Sequence, residues 1–157
     1  MIAALSPEQG GKLRDAMRAL AEQAEALAAF LTDQAGNVLA GTPYKDEGTV
    51  MAIGALGAGT FSATRELAAL TGETAFDSVS HQGTNTGLYI KSLETQILLM
   101  VVFDQATTLG LVKLYTDRAG EELRPILHEM SGQSVGAAGG RTATFAMNED
   151  QPAFETS

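Results

Sequence analysis

The chain has 157 residues and a formal net charge of −9, and it contains no cysteine. This length suffices for one domain with a buried core. The negative charge argues against binding to nucleic acid or to an anionic membrane, because both partners require a basic surface. The first residues lack a signal-peptide pattern, and the longest apolar run, 97–103, is too short to span a bilayer. We therefore expect a cytoplasmic protein.

The first predicted element is a helix that begins after Ser6, with Gln9 placed to complete a capping box. Apolar residues recur at helical spacing from Leu13 onward. Propensity alone leaves the end of this helix open. The Ala-rich run 24–29 favours a helix, whereas 30–32, directly before a turn, is typical of a strand.

A tight turn is predicted where Asp33 can accept local backbone hydrogen bonds and Gly36 can take a positive φ. A returning strand at 38–41 completes a hairpin. A second helix is predicted at 46–72, because acidic residues suit its first turn and a glycine suits its end.

Three strands and a last helix follow. The third strand is apolar on both faces, as a central strand is when both of its sides are covered. Pro125 lies inside the last helix and is expected to kink or shorten it. The strands are predicted at 76–81, 87–93 and 95–103, and the helix at about 109–130. This order of elements predicts an α+β fold in which antiparallel strands pack against helices.

The composition changes sharply after residue 130. The stretch 131–140 has the composition of a linker, and no periodic pattern follows it. We assign 1–130 to one domain and 131–157 to a flexible, Gly/Ser-rich and acidic tail. Phe145 and Phe154 lie in the acidic part of this tail as candidate partner contacts.

The sequence offers no coherent set of catalytic residues. The stretch 132–136 matches the G-x-S-x-G pattern of a serine hydrolase, but it lies in the predicted tail rather than between a strand and a helix. No phosphate-binding loop is present, and His81 and His128 are the only histidines, without the spacing of metal ligands. We expect a protein with no active site of its own, no cofactor and no metal.

The second helix is unusual because each of its glycines costs roughly 1 kcal/mol relative to alanine inside a helix. A compensating interaction is therefore expected. One face carries the larger residues and is expected to pack on the sheet: Ile53, Leu56, Thr60, Ala63, Leu67 and Leu70. A neighbouring stripe is nearly smooth: Ala52, Ala55, Gly59, Ser62, Glu66 and Ala69. The residues alone leave open whether this stripe serves a partner or close packing within the protomer.

Several segments together resemble the roadblock (dynein light chain) family. The hairpin at 30–40 and the small-residue helix ending at 67–73 resemble the family in general. Two further pairs of stretches resemble the MglB branch of this family. They are 81–83 with 87–90, and 98–104 with the 108–114 that follows it. The resemblance covers about residues 10–130 in the right order.

This resemblance implies a five-stranded antiparallel sheet between helices, with a first strand at about 26–32. It also implies that two protomers pair through the second helix and an edge strand at 76–82 into a continuous sheet. The edge-strand residues expected in the homodimer are Phe76, Val79 and His81.

The resemblance further implies the partner. MglB proteins bind the small Ras-like GTPase MglA, one GTPase per dimer, and speed its GTP hydrolysis without inserting an arginine finger. The expected GTPase and dimer platform on the paired second helices is Ala55, Gly59, Ser62 and Glu66. Longer members carry an acidic, Phe-containing tail that touches the GTPase, and 145–154 resembles it loosely. Cell polarity or motility is the implied process.

Two residues depart from the family pattern. Glu66 is larger and more charged than the small residue expected there, and Pro125 interrupts a helix that is usually uninterrupted. Two other interpretations stay open. One is a roadblock scaffold that docks a GTPase or another signalling partner without changing turnover. The other is a ligand-sensing α/β module, which would need a pocket between sheet and helix.

Overall fold

The computed structural model describes residues 5–141, and its elements follow the predicted order. A short 3₁₀ helix at Glu94–Gln96 precedes the last strand. The helices are α1 (Pro7–Ala24), α2 (Glu47–Leu70) and α3 (Leu109–Arg141). The strands are β1 (Ala28–Asp33), β2 (Val38–Gly41), β3 (Ser78–Gln82), β4 (Thr86–Leu93) and β5 (Ile97–Asp104).

The strands form one five-stranded sheet in the order β2-β1-β5-β4-β3. Every neighbouring pair is antiparallel, which confirms the predicted α+β architecture. Strand β5 lies in the centre, and each of its residues from Ile97 to Phe103 is buried. The apolar pattern on both faces of this strand is explained by the helices that cover the two sides of the sheet.

The start and end of α1 both follow from local contacts. The Ser6 hydroxyl accepts a hydrogen bond from the Gln9 backbone N–H, and the Gln9 side chain accepts one from the Ser6 N–H, each at 3.1 Å. The predicted capping box is therefore confirmed. At the other end, Glu25 adopts a left-handed conformation with φ 56°, so the helix ends and β1 begins at Ala28.

The β1–β2 turn is closed by a single carboxylate. The Oδ1 atom of Asp33 accepts hydrogen bonds from the backbone N–H groups of Ala35, at 3.0 Å, and Asn37, at 2.9 Å. Gly36 has φ +93°, as the turn requires. A Cβ atom at Gly36 would lie 2.6 Å from the Cα atom of Ala55, so this turn contacts the backbone of α2 directly.

The two faces of the sheet carry separate cores. Helices α1 and α3 pack on one face, where Leu13, Leu20, Leu99 and Leu123 belong to the same buried cluster. Helix α2 packs on the other face, against a smaller cluster whose buried members are Ala28, Phe30, Ala58, Phe61, Ile90, Leu98, Met100 and Val102. The outer side of α2 therefore points away from both cores.

The last helix differs from the prediction. Helix α3 continues past Pro125, so this proline does not shorten it, and the alternative expectation of a kink stays a prediction. The hydrogen bond and the close contact that one proline costs are tolerated in a helix of this length. The helix includes 131–141, which the sequence analysis assigns to the tail, and the G-x-S-x-G stretch lies within it. The boundary at 131 remains a prediction, and Phe145 and Phe154 lie outside the described residues.

Among residues 5–141, no helix is both long and apolar enough to cross a membrane.

Candidate protein-interaction site

On the side of α2 that faces the sheet, small residues and one phenylalanine are buried, and Val50 and Ile53 pack half-buried beside them. Its buried residues are Gly54, Gly57, Ala58 and Phe61. A Cβ atom at Gly57 would lie 2.8 Å from the Met100 sulfur atom, and one at Gly54 would lie 2.7 Å from the Gly36 carbonyl oxygen. These glycines let the helix lie close on the sheet, and that packing compensates for their low helix propensity.

The leucines of α2 lie on its outer side, whereas Ile53, which the sequence assigns to the same face, is half-buried against the sheet-side cluster. Leu56 is 72% exposed, Leu67 is 60% exposed and Leu70 is 85% exposed. The prediction that these leucines pack on the sheet is therefore wrong. Helix α2 is apolar on nearly all sides, so periodicity alone cannot identify its inner face.

Two stripes run side by side along the exposed surface of α2. The small-residue stripe is exposed throughout: Ala52, Ala55, Gly59, Ser62, Glu66 and Ala69. The leucine stripe, also exposed throughout, consists of Leu56, Thr60, Ala63, Leu67 and Leu70. No atom lies within 4 Å of a Cβ built on Gly59, so this glycine opens to the outside. A continuous, mostly apolar surface of this kind is typical of a protein-binding site.

The C-terminal part of α2 has little support from its own protomer. No residue of the helix after Phe61 is buried. Phe61 itself packs on Phe76, with ring centroids 5.1 Å apart. The guanidinium carbon of Arg65 lies 5.7 Å from the centroid of the Phe61 ring, so this arginine is turned toward the sheet side of the helix.

Glu66 has different surroundings from Arg65. Its side chain is exposed, and its carboxylate has no ion-pair or hydrogen-bond partner among the described side chains, those of 5–131 except residue 95. Ala55, Gly59 and Ser62, the other predicted platform residues, are also exposed on the same stripe. The structure thus places all four predicted residues together on one surface.

Strand β3 forms one edge of the sheet. At its two ends, the Ser92 N–H donates to the Asp77 carbonyl and the Gly83 N–H donates to the Thr86 carbonyl, each at 2.8 Å. Because backbone groups alternate in direction along an antiparallel strand, those of Ser80 face outward. The same alternation applies to Ser78 and Gln82. These outward groups are available to a further strand.

The predicted edge-strand residues have three different environments. Phe76 lies before β3 rather than in it, because the strand begins at Ser78. Phe76 instead packs on Phe61 of α2. Val79 is half-buried against the hydrophobic cluster between α2 and the sheet, which Phe76 also contacts. The side chain of His81 is exposed. Of the three, Val79 and His81 lie on the strand itself.

Ion pairs hold the start of β3 against α3. The Nζ atom of Lys91 lies 3.3 Å from the Asp77 Oδ2 atom and 3.4 Å from the Asp117 Oδ1 atom. Burial alone would lower the pKa of Lys91. The hydrogen bond to Asp77 and the surrounding negative charges outweigh burial and raise this pKa above its ordinary value. Lys91 therefore stays charged and keeps the edge strand in place.

Metal-binding side chains are not grouped in the part of the chain that the structure describes. No three of its histidine, aspartate or glutamate side chains lie close enough together to hold an ion. His128, one of the two histidines, contacts the Glu94 carboxylate, which also pairs with Arg124 at 2.8 Å.

Comparison with solved structures identifies the family. The gliding protein MglB from Thermus thermophilus matches at 33% identity and a TM-score of 0.72, over 80% of this chain and 96% of that chain. A structure described as MglB with tetrameric arrangement matches at 32% identity and a TM-score of 0.73, over 81% and 96%.

A roadblock/LC7 domain from Streptomyces avermitilis has the same fold, with a TM-score of 0.68 at 18% identity over 73% of this chain and 97% of that chain. No protein-family model and no curated protein sequence matches the chain. The identity to MglB extends over nearly the whole of that protein, and the fold agrees with it. The chain therefore belongs to the MglB branch of the roadblock family.

Proposed function

We propose that this protein is a GTPase-activating regulator, which binds an MglA-like small Ras-like GTPase as a homodimer and stimulates GTP hydrolysis. The observation that carries the proposal is the exposed surface of α2 in a chain that belongs to the MglB branch. By the same family relation, the protein acts in the cytoplasm, and the process it serves is cell polarity or motility.

The two stripes on α2 suit two different partners. The leucine stripe, together with the open edge of β3, provides the contact with a second copy of the chain. Burying a leucine contributes about 1.5–3 kcal/mol, so Leu67 and Leu70 favour a permanent contact. Pairing of two β3 edges would then continue the sheet across the dimer. A related MglB structure is described as tetrameric, which supports self-association in this branch.

The small-residue stripe is the proposed GTPase contact. Ala55, Gly59 and Ser62 have short side chains, so the backbone of a partner can approach the helix closely. Two copies of this stripe, brought together in the dimer, form a platform for one GTPase. Glu66 lies at the end of the platform that is nearer to β3.

The proposed activation uses the catalytic residues of the GTPase itself. Arg65 is the only arginine of α2, and its guanidinium group lies over the Phe61 ring instead of extending from the platform. We therefore propose that binding energy at the platform favours the hydrolysis-competent conformation of the GTPase. Each 1.4 kcal/mol of such preference, roughly, accelerates hydrolysis tenfold.

The test is phosphate release from the cognate MglA-like GTPase at increasing concentrations of the purified protein. We expect a large acceleration that saturates at one GTPase per dimer. Ser62→Arg should abolish both binding and acceleration, because the small-residue stripe has no space for a long charged side chain. Ala19→Arg is the matched control, since Ala19 is exposed on α1, on the other side of the sheet.

Three results would contradict the proposal. Binding without acceleration would instead identify a roadblock scaffold that docks the GTPase. Absence of binding would remove the GTPase as a partner. Normal activation by Ser62→Arg would show that the platform lies elsewhere.

A further inference from the structure

Glu66 is the only acidic residue between positions 48 and 72, a stretch that includes nearly all of α2. It lies on the small-residue stripe, it is exposed, and its carboxylate has no ion-pair or hydrogen-bond partner among the side chains that the structure describes. The nearest charge in sequence, on Arg65, is directed over the Phe61 ring. Glu66 is thus a single uncompensated charge on an otherwise neutral binding surface.

A partner that covers this surface must compensate for the loss of water around the carboxylate. An ionised carboxylate that loses its water without gaining a counter-charge or hydrogen-bond donors is strongly unfavourable. Successive residues of a helix point about 100° apart, so Arg65 cannot turn to Glu66 without leaving its contact with Phe61. The counter-charge therefore has to come from the covering surface.

The ends of α2 add negative charge around the platform. At the N-terminal end, Asp46 accepts a hydrogen bond from the Thr49 N–H at 2.7 Å and is followed by Glu47. Beyond the C-terminal end, Glu73 accepts hydrogen bonds from two neighbouring backbone N–H groups, each at 3.0 Å. Backbone donors do not cancel a carboxylate charge. Lys45, directly before Asp46, lies over the Tyr44 ring and offsets one of the two charges at the N-terminal end. The rim therefore keeps a smaller net negative charge there and that of Glu73 at the other end.

We propose that Glu66 determines which GTPase is bound, by receiving a lysine or arginine side chain from a basic contact surface of that GTPase. The inference rests on the proposed function and specifies, in addition, that the contact surface of the GTPase is basic. An acidic rim around a neutral platform attracts a basic surface at long range, and the pair at Glu66 then fixes its position. A GTPase with a neutral or acidic residue opposite Glu66 is rejected.

The experiment measures the kinetics of association and dissociation between the full chain and the cognate GTPase, from about 50 to 500 mM NaCl. Wild-type affinity should fall as salt rises. Glu66→Gln keeps the shape of the side chain and removes its charge, and it should weaken binding about tenfold at low salt and flatten the salt dependence. Glu66→Lys should weaken binding further.

Glu122→Gln is the matched control, because Glu122 is exposed on α3, on the opposite face of the sheet. It should bind as the wild type does. If Glu66→Gln binds the GTPase with the same affinity and the same salt dependence as the wild type, the inference is overturned.

The self-association of Glu66→Gln is measured in parallel by sedimentation equilibrium. A shift of its monomer–dimer equilibrium would mean that Glu66 pairs with a second copy of the chain, which would also overturn the inference. If the wild type itself does not bind the GTPase, the proposed function fails as well. If the wild type activates the GTPase and neither Glu66 substitution changes binding, the inference about Glu66 fails while the proposed function stands.

Discussion

Gly54 and Gly59 lie on opposite sides of α2 and have opposite surroundings. A Cβ atom at Gly54 would lie 2.7 Å from the backbone oxygen of Gly36, whereas nothing lies within 4 Å of a Cβ at Gly59. We expect Gly54→Ala to lower the free energy of unfolding by about 1–3 kcal/mol, because the turn must move away from the helix. Gly59→Ala should raise it by about 0.5–1 kcal/mol through helix propensity.

Urea unfolding followed by circular dichroism, at one fixed protein concentration, measures both changes. Each variant is the control for the other, since both replace a glycine of the same helix with alanine. Equal effects of the two substitutions would show that the close contact at Gly54 does not contribute to stability.

Residue-scale features could be predicted where the interacting groups are near in sequence. The capping box of Ser6 and Gln9 and the turn closed by Asp33 are examples, because each depends on groups only a few positions apart. The need for glycine at Gly54 could not be predicted in this way. It arises from contact with Gly36, which only the folded sheet brings near.

At the scale of the element, the type and order of helices and strands followed from the sequence, but the orientation of α2 did not. The rule that larger apolar residues face the core assumes that the protomer is the final assembly. In α2 the buried residues of the inner face are glycine, alanine and one phenylalanine, and the leucines are exposed. A row of leucines that is exposed in the protomer can be buried by a second chain. The sequence of one chain does not show whether an apolar face packs on its own sheet or on a partner.

The leucine stripe gives an element-scale prediction. The double substitution Leu67→Ser and Leu70→Ser should convert the proposed dimer to a folded monomer, because both side chains are exposed in the protomer and contribute little to its own core. Sedimentation equilibrium measures the mass, and circular dichroism measures the helix content. Each leucine withdrawn from a dimer contact loses about 1.5–3 kcal/mol of burial, and the symmetry of the dimer doubles that loss.

The matched control is Leu111→Ser with Leu114→Ser, on α3. These leucines are 45% and 42% exposed and lie on the other side of the sheet. This variant should remain dimeric. A dimeric Leu67→Ser, Leu70→Ser variant would assign self-association to the β3 edge without the leucine stripe.

At the scale of the molecule, the two faces of the sheet are covered differently. Helices α1 and α3 cover one face with the larger core, which includes Leu13, Leu20 and Leu123. Helix α2 covers the other face with a smaller core and leaves its outer side exposed. The resemblance of the sequence to the roadblock family predicted this arrangement of layers, because the matching segments occur in the same order along the chain as in the family. The exposure of both stripes of α2, in contrast, could be recognised only from the burial of each residue in the structure.

The end of the folded domain gives the last prediction. Among residues 109–131 of α3, where side-chain burial is described, the buried side chains are Val112, Thr116, Ala119, Leu123, Leu127 and Met130. Deletion of 131–157 keeps every one of them, so it should change the free energy of unfolding by less than about 1 kcal/mol and leave the dimer intact. Thermal unfolding and sedimentation equilibrium test both expectations.

A longer deletion, of 120–157, supplies the control for this experiment, because it removes Leu123, Leu127 and Met130 from the core and should prevent folding. A monomeric or unfolded product of the shorter deletion would move the end of the domain into the C-terminal part of α3. The shorter deletion also tests the proposed tail contact, since it removes Phe145 and Phe154 together. Weaker GTPase binding by a folded, dimeric product would assign that contact to the tail, and unchanged binding would confine it to the platform on α2.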